Sequence, residues 1–423
     1  MDVIISKKNS LKGEIEIPAD KSITHRAFMF SSLTKGKCKI SNYSKGADCM
    51  STLKIIQQLG CKVDFLNEKE LIIDATNALK APNEPLNCGN SGTTTRLMSG
   101  ILAGQKFDSV LFGDKSLSKR PMKRVIAPLE LMGAKFVHEN YTLPMTIKGE
   151  NLRGISYNSP LASAQVKSCI LLAGLNAEGS TSFTEPYKSR NHTELMFEYM
   201  GADINIDKTT VKVKKSQLKP VDIEVCGDIS SAAFFMAAAL IVPNSDIIIK
   251  NVGINETRSG IIDVFKAMNA NIELLNERVV SNEKVADIHV KYSELTATNI
   301  EGAIIPRLID EIPVIAVVAT QARGTTVIKN AEDLRSKEAD RISAVATELK
   351  KLGADITETQ DGFIINGKTK LNGNCEIECS HDHRIAMSAY VAGLICENDI
   401  KIKEFEWVDI SFPEFLDLMK KLF

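Results

Sequence analysis

Lys21, Ser22 and Arg26 stand close together in "PADKSITHR", where a lysine–serine pair sits just where a helical pattern begins. A cation and a hydroxyl at a helix N-terminus suit an anion, because free backbone N–H groups and the positive end of the helix dipole converge there. Other basic clusters precede helical patterns in "SKRPMKR" (118–124), "YKSRNHT" (187–193), "NETRSG" (255–260) and "LRSKEADR" (334–341). Cations normally avoid that end of a helix, so the recurrence predicts bound anions that compensate these loops. "NCGNSGTTTRL" (87–97), with Asn90 and Gly92, offers backbone N–H groups and hydroxyls to an anion, but it is not a nucleotide loop of either common glycine pattern. "LASAQVKSCILLAGL" (161–175) enters a helix through Ser163 and Gln165. Carboxylates supply the complementary chemistry. Asp310 and Glu311 interrupt the apolar "IPRLIDEIPVIAVVA" (305–319), and Glu338 lies between Lys337 and Arg341, so these are candidate acid–base groups.

The elements that carry these loops repeat. An amphipathic helix, a small residue and an alternating strand recur as "IIQQLGCKVDF", "LELMGAKFVHE", "FEYMGADINID", "FKAMNANIELL" and "LKKLGADITET". Their markers, Gly60, Gly133, Gly201, Asn269 and Gly353, are 73, 68, 68 and 84 residues apart, which implies five or six units in 423 residues; six is preferred, with one worn copy split between the termini. Met122, Val125, Ile126, Leu129 and Met132 make one apolar helix stripe, and Ile342, Val345, Ala346, Leu349 and Leu352 make another. The marker residue suits the left-handed conformation that ends a helix. Pro128, inside the second stripe, predicts a kink or a later helix start. Repeats this large group into compact domains, and three per domain puts a break after a strand pair near "VKVKK" and "VDIEVCGD", around Cys226.

Composition narrows the function. With Lys+Arg at 52 and Asp+Glu at 53, the formal charge of −1 argues against nucleic acid or an anionic membrane as partner. The N-terminus lacks a signal-peptide pattern, and "AAFFMAAALIV" (232–242) is too short to span a bilayer and reads as a buried helix. Nine scattered cysteines without C-x-x-C predict reduced thiols in the cytoplasm. "HDHR" (381–384) has no third ligand at metal-site spacing.

Taken together, "PADKSITHR", "GNSGTTTR", "KRPM", "SAQVKS", "LIDEIPVIAVVA", "LRSKEADRISAVATELKKLGA" and "HDHRIAM" resemble the 5-enolpyruvylshikimate-3-phosphate synthase family, in order and over essentially the whole chain. The resemblance implies an α/β (α+β) fold, a two-domain inside-out barrel of six βαβαββ repeats, with three around a pseudo-threefold axis in each domain. It implies one domain of residues 1–20 plus 227–423, another of 21–226, and an active site in the interdomain cleft. The implied reaction moves the enolpyruvyl group of phosphoenolpyruvate to the 5-hydroxyl of shikimate 3-phosphate and releases phosphate, in a cytoplasmic monomer with no metal or organic cofactor. Two phosphates and two carboxylates carry about −5 to −6, commensurate with Lys21, Arg26, Arg120, Arg190, Lys337, Arg341 and Arg384.

Roles follow from the same resemblance. Lys21, Asn90, Gly92, Arg120, Gln165, Arg341 and Arg384 match the phosphoenolpyruvate site, and Lys21, Ser22, Arg26, Ser163, Gln165, Arg190, Asp310 and Lys337 the shikimate 3-phosphate site. Asp310 is the implied base at the attacking hydroxyl, and Glu338, with Lys337 or Lys21, handles the proton on the methylene carbon. Departures exist: Ala164 stands where many members have a second serine, and Ile410 and Ser411 where many have a lysine and a threonine before "FP". "SAQVKS" and "SRNHTE" look like the family's second sequence class. Gly92 implies sensitivity to glyphosate, competitive with phosphoenolpyruvate. The alternative acceptor is UDP-N-acetylglucosamine, whose enolpyruvyl transferase has a mobile-loop cysteine that "GDKSLSKRPMKR" lacks. An RNA-end-processing relative and a non-catalytic scaffold are the readings from other classes.

Overall fold

Helices form where an apolar stripe meets a capping side chain. In the computed structural model, which describes all 423 residues, α1 (Lys21–Ser31), α3 (Gly92–Ala103) and α5 (Ala164–Gly174) start behind Asp20, Ser91 and Ser163, whose side chains accept from backbone N–H groups of the first turn. Between and after them run α2 (Ala47–Gln58), α4 (Lys123–Leu131) and α6 (His192–Tyr199). Farther along, α7 (Ile229–Ile241), α10 (Arg341–Lys351) and α11 (His383–Gly393) are capped in the same way by Asp228, Asp340 and Asp382. The remaining helices are α8 (Gly260–Ala267), α9 (Ile312–Ala319) and α12 (Phe415–Lys420). The markers end their helices as the pattern predicts: Gly60, Gly133, Gly201, Asn269 and Gly353 have φ of 101°, 98°, 74°, 66° and 93°. Pro128 neither stops nor delays α4, which starts at Lys123 and buries the proline on its apolar face.

One strand order recurs in five four-stranded sheets. Asn299–Ile300 runs parallel to Gly324–Ile328, which pairs antiparallel with Phe363–Gly367, which pairs antiparallel with Asp355–Glu358. The sheets built on Ser109–Phe112 and Ser180–Thr184 repeat this arrangement. In two sheets the first strand comes from elsewhere in the chain. Ile223–Glu224 lies parallel to Lys37–Ser41, and Lys12–Glu16 parallel to Asp246–Lys250. The three-stranded sheet joins Val3–Ile5 from the N-terminus to Ile400–Lys403 and Cys375–Glu378. Its pairings, one parallel and one antiparallel, match the first three strands of the other sheets. The expected pairing of "VKVKK" with "VDIEVCGD" does not occur, because Thr210–Lys214 is already flanked on both sides and Ile223–Glu224 goes to another sheet.

The chain divides into two compact units. The first comprises Met1–Pro18, Cys226–Val279 and Lys284–Phe423, and the second Ala19–Val225 with the hairpin tip Val280–Glu283. That tip was expected with the first unit. It belongs to the second through Glu283, which meets His192 Nδ1 at 2.6 Å, and Asn282, which donates to the Leu195 carbonyl at 2.9 Å. The first unit's core is led by α7 and α9; every residue of α9 is buried, as an all-apolar helix requires. Phe415 of α12 packs on Tyr390 and Phe412 with ring centroids 5.2 and 5.6 Å apart, fixing the C-terminal segment that contains Ile410 and Ser411. No helix is long and apolar enough to cross a membrane.

Candidate functional site

Each unit gathers predicted residues at helix N-termini. In the second unit, Lys21 and Ser22 open α1, Gly92 opens α3, and Ser163 with Gln165 opens α5. Arg120 lies shortly before α4 and Arg190 shortly before α6. Lys21 pairs with Asp48 of α2, a carboxylate the sequence reading did not single out. Arg120 Nη2 donates to Asn90 Oδ1 at 3.2 Å, and Asn90 Nδ2 donates to Asp114 Oδ2 at 2.7 Å. Arg96 follows the threonines of the 87–97 loop, and its place in the sequence signals no role of its own. Its Nη1 donates to Gln165 Oε1 at 2.5 Å, while Gln165 Nε2 donates to Thr93 Oγ1 at 3.0 Å. A Cβ on Gly92 would lie 3.0 Å from Arg96 Nη1 and 3.6 Å from Arg120 Nη1, so glycine keeps two guanidiniums close to the start of α3. Gly92, Asn90, Arg120 and Gln165 are thereby brought together.

Arg26 is placed differently from a solvent-facing clamp. It is 3% exposed, and it donates to Thr193 Oγ1 at 2.8 Å, Ser168 Oγ at 2.8 Å and the Ser22 carbonyl at 2.9 Å. Its guanidinium therefore ties α1 to α5 and α6 and fixes the backbone at Ser22. His25, one residue away, donates to or accepts from Thr52 Oγ1 at 2.7 Å, and burial pushes its imidazole down to about 3, so the ring is neutral.

In the first unit, α9, α10 and α11 present the carboxylates and remaining cations. Lys337 Nζ and Arg341 Nη1 approach Asp310 Oδ1 at 3.3 and 3.4 Å. Arg341 Nη2 donates to Glu338 Oε2 at 2.7 Å, and its Nε donates to Asp382 Oδ2 at 2.7 Å. Arg341 is only 1% exposed; burial would lower its pKa, but Asp382, Glu338 and Asp310 outweigh burial and raise it. Arg384 Nη1 donates to the Asp310 carbonyl at 3.1 Å and lies 3.7 Å from Glu311 Oε1. Glu311 is buried and also accepts from Ser230. All five predicted residues of this half, Asp310, Lys337, Glu338, Arg341 and Arg384, form one connected network. Asp382 was missed because a capping aspartate signals a helix start and nothing more; its pairing with Arg341 spans distant sequence.

Two of the basic loops correct the expectation that bound anions compensate all of them. Arg258 in "NETRSG" is buried and pairs with Asp228 at 2.8 Å, and Arg335 in "LRSKEADR" pairs with Asp340 and Glu358 at 2.8 and 2.9 Å. The protein's own carboxylates serve those cations. In "HDHR", His381 sits 3.2 Å from Glu404 and edge-on to Trp407, while His383 is buried. No group of three side chains is arranged to hold a metal ion. "GFIINGKT" (362–369) matches the spelling of a nucleotide loop, but Phe363–Gly367 is a strand paired on both sides.

With this geometry in place, the comparisons are specific. A family model described as EPSP synthase (3-phosphoshikimate 1-carboxyvinyltransferase) matches residues 5–419. The chain is 52% identical to the 3-phosphoshikimate 1-carboxyvinyltransferase of Thermodesulfovibrio yellowstonii over 429 aligned positions, covering 100% of both chains. It is 51% identical to the Brevibacillus brevis protein of that name, covering 99% of each. Among solved structures, the EPSP synthase of Acinetobacter baumannii superposes with a TM-score of 0.90 at 43% identity, over 100% of this chain and 98% of that one. The enolpyruvyl transferase NikO of Streptomyces tendae shares the fold, with a TM-score of 0.82 at 15% identity, over 99% of this chain and 96% of that one.

Proposed function

The chain belongs to the EPSP synthase family, and from that premise we propose that it transfers the enolpyruvyl group of phosphoenolpyruvate to the 5-hydroxyl of shikimate 3-phosphate. The observation that carries this reading is the 52% identity sustained over the full length of both chains. UDP-N-acetylglucosamine is not favoured as acceptor, since the family model and the relatives carry the shikimate description.

The two clusters divide the work. Asp310 takes the proton of the 5-hydroxyl as its oxygen bonds to C2 of phosphoenolpyruvate. Glu338, with Lys337 or Lys21, delivers a proton to C3, giving a tetrahedral intermediate. Removal of a C3 proton then restores the double bond as the C2–O bond to phosphate breaks. Lys21, Asn90, Gly92, Arg120, Gln165, Arg341 and Arg384 hold phosphoenolpyruvate; Arg96, bonded to Gln165, supports that assignment. Ser22, Arg26, Ser163, Gln165, Arg190 and Lys337 hold shikimate 3-phosphate. Arg26 acts there largely by fixing Ser22, since its guanidinium is committed to α1, α5 and α6. Anionic substrates neutralise the cations gathered in each cluster.

The finer architecture, an inside-out barrel with pseudo-threefold symmetry in each unit, draws support from the strand order repeated in five sheets. The protein works as a monomer in the cytoplasm, a compartment in keeping with nine free cysteines, and a net charge near zero accords with a reaction that requires neither nucleic acid nor membrane. The test is phosphate release in the purified protein. Release that needs both shikimate 3-phosphate and phosphoenolpyruvate, and no nucleotide, is the expected result; release with UDP-N-acetylglucosamine in place of shikimate 3-phosphate would overturn it.

A further inference from the structure

Lys167 belongs to the "SAQVKS" motif, yet the reaction gives it no task. Its side chain is 1% exposed, as are those of its two partners, Glu185 and Glu194. Lys167 Nζ lies 2.6 Å from Glu194 Oε1, donates to Glu185 Oε1 at 2.8 Å, and donates to the Ser189 carbonyl at 3.2 Å. Glu185 Oε1 also accepts from the Ser189 N–H at 2.8 Å. Both backbone polar groups of Ser189 are therefore held by the same buried trio. Arg190 comes next, and Glu194 sits in the first turn of α6, so the trio grips the chain on each side of that arginine. Thr193 in the same turn is bound to Arg26 and Ser168.

Burying one ammonium and two carboxylates is costly, and an apolar trio of similar volume would serve the fold as well or better. An apolar trio could not hold the N–H and the carbonyl of one residue at once. We propose that the Lys167–Glu185–Glu194 trio is a positioning device for Arg190, and that Lys167 and Glu185 are positioning residues for recognition of the phosphate on shikimate 3-phosphate. The proposal rests on the assignment of Arg190 to that substrate.

Lys167→Met would strand two buried carboxylates, so the informative variant is Glu185→Leu, which leaves Lys167 and Glu194 as a balanced pair and removes the anchor on the Ser189 N–H. With folding verified by thermal melting, its KM for shikimate 3-phosphate is expected to rise about tenfold, the loss of one well-aimed charged hydrogen bond. Its kcat and its KM for phosphoenolpyruvate stay within about threefold of the parent. Glu185→Gln keeps an acceptor oxygen for both donors and restores KM to near the parent value, which a volume or stability effect would not do. The neutral trio Lys167→Met, Glu185→Gln, Glu194→Gln serves as a second folded variant that loses the grip on the Ser189 carbonyl, and it too raises this KM. Arg190→Ala is measured in parallel, and Glu185→Leu adds little in that background because the two changes act through one contact. An unchanged KM for shikimate 3-phosphate in both trio variants, or equal losses for both substrates, overturns the positioning role while Arg190→Ala still raises KM. No effect of Arg190→Ala overturns the assignment of Arg190 and the proposal together.

Discussion

Asp310 carries the most specific chemical expectation. Its carboxylate sits within 3.4 Å of cations from Lys337 and Arg341, so Asp310→Asn preserves shape and a hydrogen-bonding oxygen but loses the proton acceptor. Turnover should fall by about 10²- to 10⁴-fold, with shikimate 3-phosphate binding still measurable by calorimetry. Near-normal turnover would remove Asp310 from the base role. Gly92 supports a second expectation. Two guanidiniums approach the position a side chain would take, so a small phosphonate anion would meet both cations there, and glyphosate should inhibit competitively with phosphoenolpyruvate. Activity that persists at high glyphosate would contradict it. The residue types were legible in the sequence because cations, hydroxyls and glycines recur at predicted helix starts. Their partners were not. Asp48, Asp382 and the Arg96–Gln165 bond join positions far apart in the chain, and no period or local motif encodes such pairs.

Whole elements were easier to read than partners. The helix stripes and left-handed terminators follow from periodicity and backbone sterics, both local properties. The strand at Ile223–Glu224 was legible but its partner was not: two residues carry no register information, and their place beside Lys37–Ser41 is set by topology. Capping at α7 illustrates how an element and a buried pair depend on each other. Asp228 accepts from Ser230 N–H and pairs with Arg258. Burial would raise its pKa, but Arg258 outweighs burial and holds it down, from 3.8 to about 2. A carboxylate with a lowered folded-state pKa stabilises the protein fully above its unfolded value and loses that contribution as the pH falls through the folded value. This pair should therefore hold from neutral pH to about 4 and fail between about 4 and 2. At pH 7, Arg258→Met should cost roughly 3–5 kcal/mol in urea unfolding, because it leaves a buried carboxylate without its main partner. A loss under about 1 kcal/mol would show that the pair is not a structural support.

On the scale of the molecule, anionic substrates that compensate cations of each compact unit would change the stability of each. A ligand stabilises only what binds it, by about 2.7 kcal/mol at a concentration of 100 Kd. If phosphoenolpyruvate and shikimate 3-phosphate engage Lys21, Arg120 and Gln165 as well as Lys337, Arg341 and Arg384, then saturating ligand must slow local opening in both units. Hydrogen exchange can follow each separately. Protection should rise at the starts of α1, α3 and α5, and at the starts of α10 and α11. Trp407 is the chain's single tryptophan and lies in the first unit, so its fluorescence reports that unit's melting directly. Its transition should move upward with the two substrates present, alongside exchange protection in Ala19–Val225. Arg120→Ala and Arg384→Ala should each raise the KM for phosphoenolpyruvate, although they lie in different units. A shift confined to one unit, or a KM that responds to only one of these variants, would mean that a single cluster binds the substrates and the other serves the fold.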